Sequence, residues 1–161
     1  MEFIGSDDIP GYFPTSTCIR KGLCPVTQLR PQGSKLVESH SLYFEQHGKG
    51  STYKIILING LNSNSYGWQG QVEWFGSGKA FQEDGKGEEQ STVLVFDNRG
   101  VGNSGYPRGP YTTSAMAEDV ITLLDYVGWT GEREVHVVGI SLGGMIAQGG
   151  SFKNNTTCSF R

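Results

Sequence analysis

The stretch Val135-His136-Val137-Val138-Gly139-Ile140-Ser141-Leu142-Gly143-Gly144-Met145-Ile146-Ala147 decides how this chain is read. Valines around His136 give a short β-branched strand. Gly139-x-Ser141-x-Gly143 follows, and then small and apolar residues that suit the start of a helix. A serine in a tight strand-to-helix turn sits in a sparsely populated backbone region, so its neighbours must be small. Gly139 and Gly143, two residues to either side, provide that room. The turn also sets the hydroxyl at a helix N-terminus, where unpaired amides can face a developing oxyanion. Ser141 is therefore the candidate nucleophile. The plain alternative is an ordinary serine in a Gly-rich turn; the agreement of strand, turn and helix argues against it.

Outward from this stretch, two further apolar runs read as buried strands: Tyr53-Lys54-Ile55-Ile56-Leu57-Ile58-Asn59 and Thr92-Val93-Leu94-Val95-Phe96. Between them, the polar loop Asn59 to Ser65 precedes Trp68, Val72 and Phe75 at helical spacing, which Gly76 and Gly78 end. Glu83 to Glu89 reads as a charged, solvated loop. A helix is expected from Thr113 to Val127, with Met116, Val120, Leu123, Leu124 and Val127 on one face. Glu118 and Asp119 suit its early turns, and Gly128 stops it. Leu36 to Glu45 suggests one or two strands before the turn His47-Gly48-Lys49-Gly50. Residues 1–35 hold Pro10, Pro14, Pro25 and Pro31, show no period, and read as an irregular extension. Strands alternating with helices imply an α/β fold: a mostly parallel sheet with helices on both faces.

With 161 residues the chain suits one domain, and a net charge of −3 gives no footprint for nucleic acid. No run approaches the length of a membrane span, and the acidic start lacks the pattern of a secretory signal. Cys18, Cys24 and Cys158 are an odd number without metal spacing, which fits free thiols in the cytoplasm. Cys18 and Cys24 could bridge in an exported protein. No metal or cofactor is expected.

Three segments in order carry a family resemblance: Gly60-Leu61 after the first buried strand, Asp97-Asn98-Arg99-Gly100-Val101-Gly102-Asn103-Ser104 after the second, and the Ser141 turn. Residues 36–148 resemble the N-terminal half of an α/β-hydrolase. The second segment resembles that family's Asp-x-Arg-Gly-x-Gly-x-Ser loop, and the first its His-Gly-x loop, with Asn59 where His is usual. The resemblance implies an oxyanion hole built from the backbone amides of Leu61 and Leu142. Serine at position 141 points away from relatives with an aspartate there, such as epoxide hydrolases and haloalkane dehalogenases. It favours acyl transfer on a small-molecule ester, thioester, amide or lactone, or C–C bond hydrolysis, through attack by Ser141.

Gly100-Val101-Gly102-Asn103-Ser104-Gly105 also satisfies the dinucleotide-binding pattern, but Tyr106-Pro107-Arg108-Gly109-Pro110 leaves no place for the helix that fingerprint requires. Arg99 reads as a structural charge for loop carbonyls and a carboxylate such as Asp97. His136 reads as a core or face residue, and His40 and His47 lie in the wrong region for a catalytic base.

In this family the acid and then the histidine follow the serine along the chain. Residues 142–161 contain no Asp, Glu or His, and the resemblance stops at Gln148 before a polar, Gly-rich tail, 149–161. The expectation is a truncated product that is inactive by itself. The alternative is a non-catalytic interaction or regulatory fragment. An unpaired edge on the Ser141 strand would favour self-association or aggregation and poor solubility.

Overall fold

The computed structural model describes residues 9–29, 37–80, 90–108 and 111–153. Its elements are β1 (Cys18–Leu29), β2 (Val37–His47), β3 (Tyr53–Ile58), a 3-10 turn (Ser65–Trp68), α1 (Gln69–Gly76), β4 (Ser91–Phe96), α2 (Thr113–Val127), β5 (Val135–Gly139) and α3 (Leu142–Lys153). The charged segment Glu83 to Glu89 lies outside the described residues.

The three strands read from their apolar runs form the parallel part of one sheet, in which β3 pairs with both β4 and β5. β2 joins β4 antiparallel and β1 joins β2 antiparallel, giving the order β1-β2-β4-β3-β5. Because side chains alternate along a strand, β3 and β4 supply both cores. Ile56, Ile58, Leu94 and Phe96 pack with Met116, Ala117, Val120 and Leu123 of α2 and Ile146 and Ala147 of α3. Ile55, Leu57, Val93 and Val95 pack on the other side with Trp68, Val72 and Phe13. Two covered faces explain why these strands read as continuous apolar runs.

α2 has the bounds its periodicity predicts. Thr112 caps its N-terminus by accepting from the Ala115 amide at 3.1 Å, and Gly128 ends it in the left-handed region at φ 80°.

Several expectations are corrected. Residues 18–29 form a strand within the segment read as irregular, paired along its length with β2. Its inward positions are Gly22, Cys24 and Val26 while Ile19 and Leu23 fall on the other face, so no apolar–polar alternation shows, and an edge strand tolerates Pro25. Cys18 and Cys24 are free thiols, as the odd number of cysteines suggested, and the alternative of a bridge between them falls away. Six residues apart on one extended strand, they stand roughly 20 Å from each other, far beyond disulfide reach. Burial lifts the Cys24 thiol to a pKa of about 11. β5 has no buried residue and three exposed ones, unlike β4, which is buried throughout. Val135 and Val137 pack towards α2 and α3, whereas His136 and Val138 face the side of α1 and are exposed. Finally, α3 continues to Lys153, past the point where the tail was expected. Gly149, 3.2 Å from the Ala117 side chain when a Cβ is built on it, lets α3 run close against α2.

Candidate active site

Ser141 lies in the turn between β5 and α3 with φ 54°, in the left-handed region that a residue with a side chain rarely adopts. The turn is pinned by Ile140 N–H to the Ile58 carbonyl (3.2 Å), Gly143 N–H to the Ile140 carbonyl (2.8 Å) and Gly144 N–H to the Ser141 carbonyl (2.9 Å). A Cβ on Gly143 would run into the carbonyls of Ile58 and Asn59, and one on Gly139 into the backbone of Gly143. The two glycines are thus required by close approach of backbone to backbone. The strain at Ser141 is held by its surroundings.

The loop after β3 passes beside this turn. A Cβ built on Gly60 would lie 3.3 Å from the Ser141 Cβ and 3.8 Å from its Oγ. Leu61 follows and is 71% exposed, and Leu142 is the first residue of α3. Among the described residues, neither the Leu61 amide nor the Leu142 amide has a hydrogen-bond acceptor. Ser141 is exposed, and no described side chain hydrogen-bonds its hydroxyl. The three residues singled out from the sequence therefore meet at the C-terminal edge of the parallel strands, where ligands of α/β sheets bind.

Two residues whose part was not legible in the sequence hold the loops in place. Buried Asp97 accepts from the Ser65 amide (2.8 Å) and hydroxyl (2.9 Å) on one oxygen. Its other oxygen accepts from the Asn103 amide (2.8 Å) and the Tyr12 hydroxyl (3.1 Å). Burial and the Asp97 carboxylate push the Tyr12 phenol up to about 12, so it remains a donor at neutral pH. Asn98 donates to the Asn59 carbonyl at 3.2 Å, just before Gly60. The Asp97 loop thus clamps both ends of the 59–65 loop. The signal was the Asp-Asn pair at the end of a strand, but its target lies in a different loop, and no spacing encodes that.

Arg99 is structural, with a different carboxylate from the one expected. Its Nε and Nη2 donate to the two oxygens of Asp119 at 2.6 and 2.7 Å, and Nη2 also donates to the Ala115 carbonyl. Asp119, on α2 as expected, is consequently buried and serves the loop. His40 Nε2 sits 3.4 Å from the same carboxylate. His136 is an exposed face residue beside the Tyr53 ring, and His47 pairs with Val93 at the opposite end of the sheet from Ser141. No histidine hydrogen-bonds Ser141. The Gly100 to Gly105 stretch does not form a pyrophosphate cradle: the space a Cβ would take at Gly102 is filled by the Asp97 carboxylate and Tyr12 hydroxyl, and the next helix begins only at Thr113.

A family model described as alpha/beta hydrolase fold matches residues 53–148, from β3 through the serine turn into α3. The chain belongs to that family. It is 30% identical over 108 residues to 3-oxoadipate enol-lactonase 2 of Acinetobacter baylyi, an alignment covering 67% of this chain and 35% of that protein. It is also 30% identical over 98 residues to a soluble epoxide hydrolase of Corynebacterium sp. (strain C12), covering 61% and 29%. Among solved structures, a thermophilic esterase from Thermogutta terrifontis superposes with a TM-score of 0.64 and 25% identity, over 86% of this chain and 42% of that one. The chain spans about a third of the length of the curated relatives it matches. These relatives are hydrolases. Among the described residues, no helix is long and apolar enough to cross a membrane.

Proposed function

We propose that this chain is the nucleophile-bearing part of a serine hydrolase acting on an ester, thioester, amide, lactone or related carbonyl of a small molecule. The observation that carries the proposal is the strained Ser141, exposed at a strand-to-helix turn beside the Gly60-Leu61 loop. In this reading Ser141 Oγ gives its proton to a general base and attacks the carbonyl carbon, and the amides of Leu61 and Leu142 receive the oxyanion of the tetrahedral adduct. The bond to the leaving group then breaks, the leaving group takes up the proton, and the acyl-enzyme remains. Serine at position 141 separates this chain from an aspartate-nucleophile reaction, although an epoxide hydrolase is among its relatives.

Residues 142–161 carry no Asp, Glu or His to follow Ser141 in the order of the family, and no described side chain hydrogen-bonds its hydroxyl. We therefore expect the chain alone to be inactive. A fluorophosphonate probe tests both statements. The chain alone should label at background. A chimera joining residues 1–148 to the C-terminal remainder of the Acinetobacter baylyi enol-lactonase should label at Ser141, and Ser141→Ala should remove the label. A folded chimera that labels equally after Ser141→Ala overturns the nucleophile assignment. Strong labelling of Ser141 in the chain alone overturns the expected inactivity.

A further inference from the structure

At the end of the sheet away from Ser141, β1 and β2 bring together three side chains that take no part in the site above. Cys18 is paired directly with His47, the last residue of β2, and an irregularity between Cys18 and Arg20 sets it there. Glu45 precedes His47 by two residues, so both side chains emerge on one face of the strand. One ligand atom from each of Cys18, Glu45 and His47 lies within 4.8 Å of the others.

The hydrogen bonding of this cluster is incomplete in one direction. His47 is fully buried, with Nδ1 2.9 Å from Thr17 Oγ1. Its Nε2 is buried without a hydrogen-bond partner, and it stands 3.5 Å from Glu45 Oε2. Glu45 Oε1 is occupied by the Tyr12 amide at 2.7 Å and the Tyr43 hydroxyl at 2.8 Å, which leaves Oε2 directed at the imidazole. A buried ring nitrogen facing a carboxylate oxygen is satisfied by a proton on the ring, which makes the two an ion pair, or by a metal cation held between them. Thiolate, imidazole and carboxylate together are the donor set that zinc takes. A hydrogen bond at the far ring nitrogen is what orients metal-binding histidines, and Thr17 Oγ1 provides one here. A cavity of about 520 Å³, lined by Cys18, Glu45, Phe13, Arg20 and Lys21 among others, opens beside the cluster and gives an ion an entry path, with two basic residues at its wall that the Glu45 carboxylate and Cys18 thiolate must outweigh.

We propose that Cys18 Sγ, Glu45 Oε2 and His47 Nε2 bind a divalent transition-metal ion of the zinc class, with a fourth position open to that cavity. Tetrahedral zinc needs ligand atoms roughly 3.5 Å apart, so rotation of the half-exposed Cys18 side chain completes the set. Binding releases the Cys18 thiol proton to solvent and ties the start of β1 to the end of β2.

The test adds Co²⁺ alone to the reduced, chelator-treated 161-residue chain. A thiolate-to-cobalt charge-transfer band should saturate at one equivalent and be erased by Zn²⁺. Cys18→Ser, close to isosteric at a half-exposed position, should abolish the band, whereas Cys24→Ser and Cys158→Ser should leave it. Thr17→Val should keep one equivalent of Zn²⁺ but weaken it roughly 10–100-fold. Far-ultraviolet circular dichroism checks that each variant retains its fold. Absence of the band in the parent chain, its persistence after Cys18→Ser, or its loss on Cys158→Ser alone overturns the site.

Discussion

At residue scale, the serine turn stores strain in one residue and removes it from its neighbours. Ser141 is left-handed at φ 54°, a conformation that costs a residue with a Cβ about 1–2 kcal/mol. Gly143 and Gly144 are adjacent in sequence but not equivalent. A Cβ at Gly143 meets the Ile58 and Asn59 carbonyls, whereas at Gly144 the nearest atom, the Gly139 carbonyl oxygen, is 3.7 Å away. Gly143→Ala should therefore destabilise the chain by about 1–3 kcal/mol through forced backbone movement. Gly144→Ala should be neutral or stabilising by up to about 1 kcal/mol, because alanine is the better helix former. Ser141→Gly should stabilise by about 1 kcal/mol through relief of strain. Urea-unfolding midpoints of the three variants check the ordering, and equal effects at 143 and 144 would contradict it. This part of the site was legible in the sequence because the requirement is local: room on either side of a tight turn shows as glycine at fixed spacing. The clamps made by Asp97 and Asn98 were not legible, since they act across loops that only the fold brings together.

At the scale of elements, legibility followed how completely each segment carries its own signal. α2 combines a 3.6-residue apolar period with a threonine cap and a left-handed glycine, and its limits could be read directly. β1 carries no such signal: its register comes from β2, so its residues look irregular until the partner is in place. The burial of Asp119 was not legible for a related reason, since its place in the helix says nothing of the arginine that covers it from another loop. The join between β3 and β5 rests on another contact of this kind, in which Lys54 on β3 pairs with Glu134 just before β5. The hydrogen bond from Lys54 holds the Glu134 carboxyl below its usual range, helped by the Gly131 amide. The folded-state value is thus depressed relative to the unfolded one. The stabilisation is present in full above the unfolded value of about 4.3 and is lost as pH falls through the folded value. The pair is partly exposed, so its contribution should stay below about 1 kcal/mol. Lys54→Met should lower stability by that amount at neutral pH, and the two stability curves should converge under acid conditions. A difference that persists after Glu134 is protonated would assign the effect to packing of the lysine stem.

At the scale of the whole molecule, burial is uneven from one side of the sheet to the other. β4 is covered on both faces, but β5 pairs only with β3 among the described residues. On the side of α2 and α3, Val135 and Val137 are shielded. On the side of α1 no described helix reaches as far as β5, and Val138 is 43% exposed. An apolar strand with one unpaired edge and one open face is a template for pairing with another strand. We expect the isolated chain to self-associate through β5, with a second copy adding to the same edge. Sedimentation velocity over a concentration series should show oligomers or loss of material in the parent chain. Val138→Lys should shift the distribution towards monomer, because a charge on an edge strand opposes such pairing. Trp74 is 54% exposed on α1, away from β5, so Trp74→Lys removes comparable exposed apolar surface without touching the edge. If Trp74→Lys is the variant that restores the monomer, association runs through the face of α1 instead. A parent chain that stays monomeric throughout would mean that the edge of β5 is insufficient to drive association.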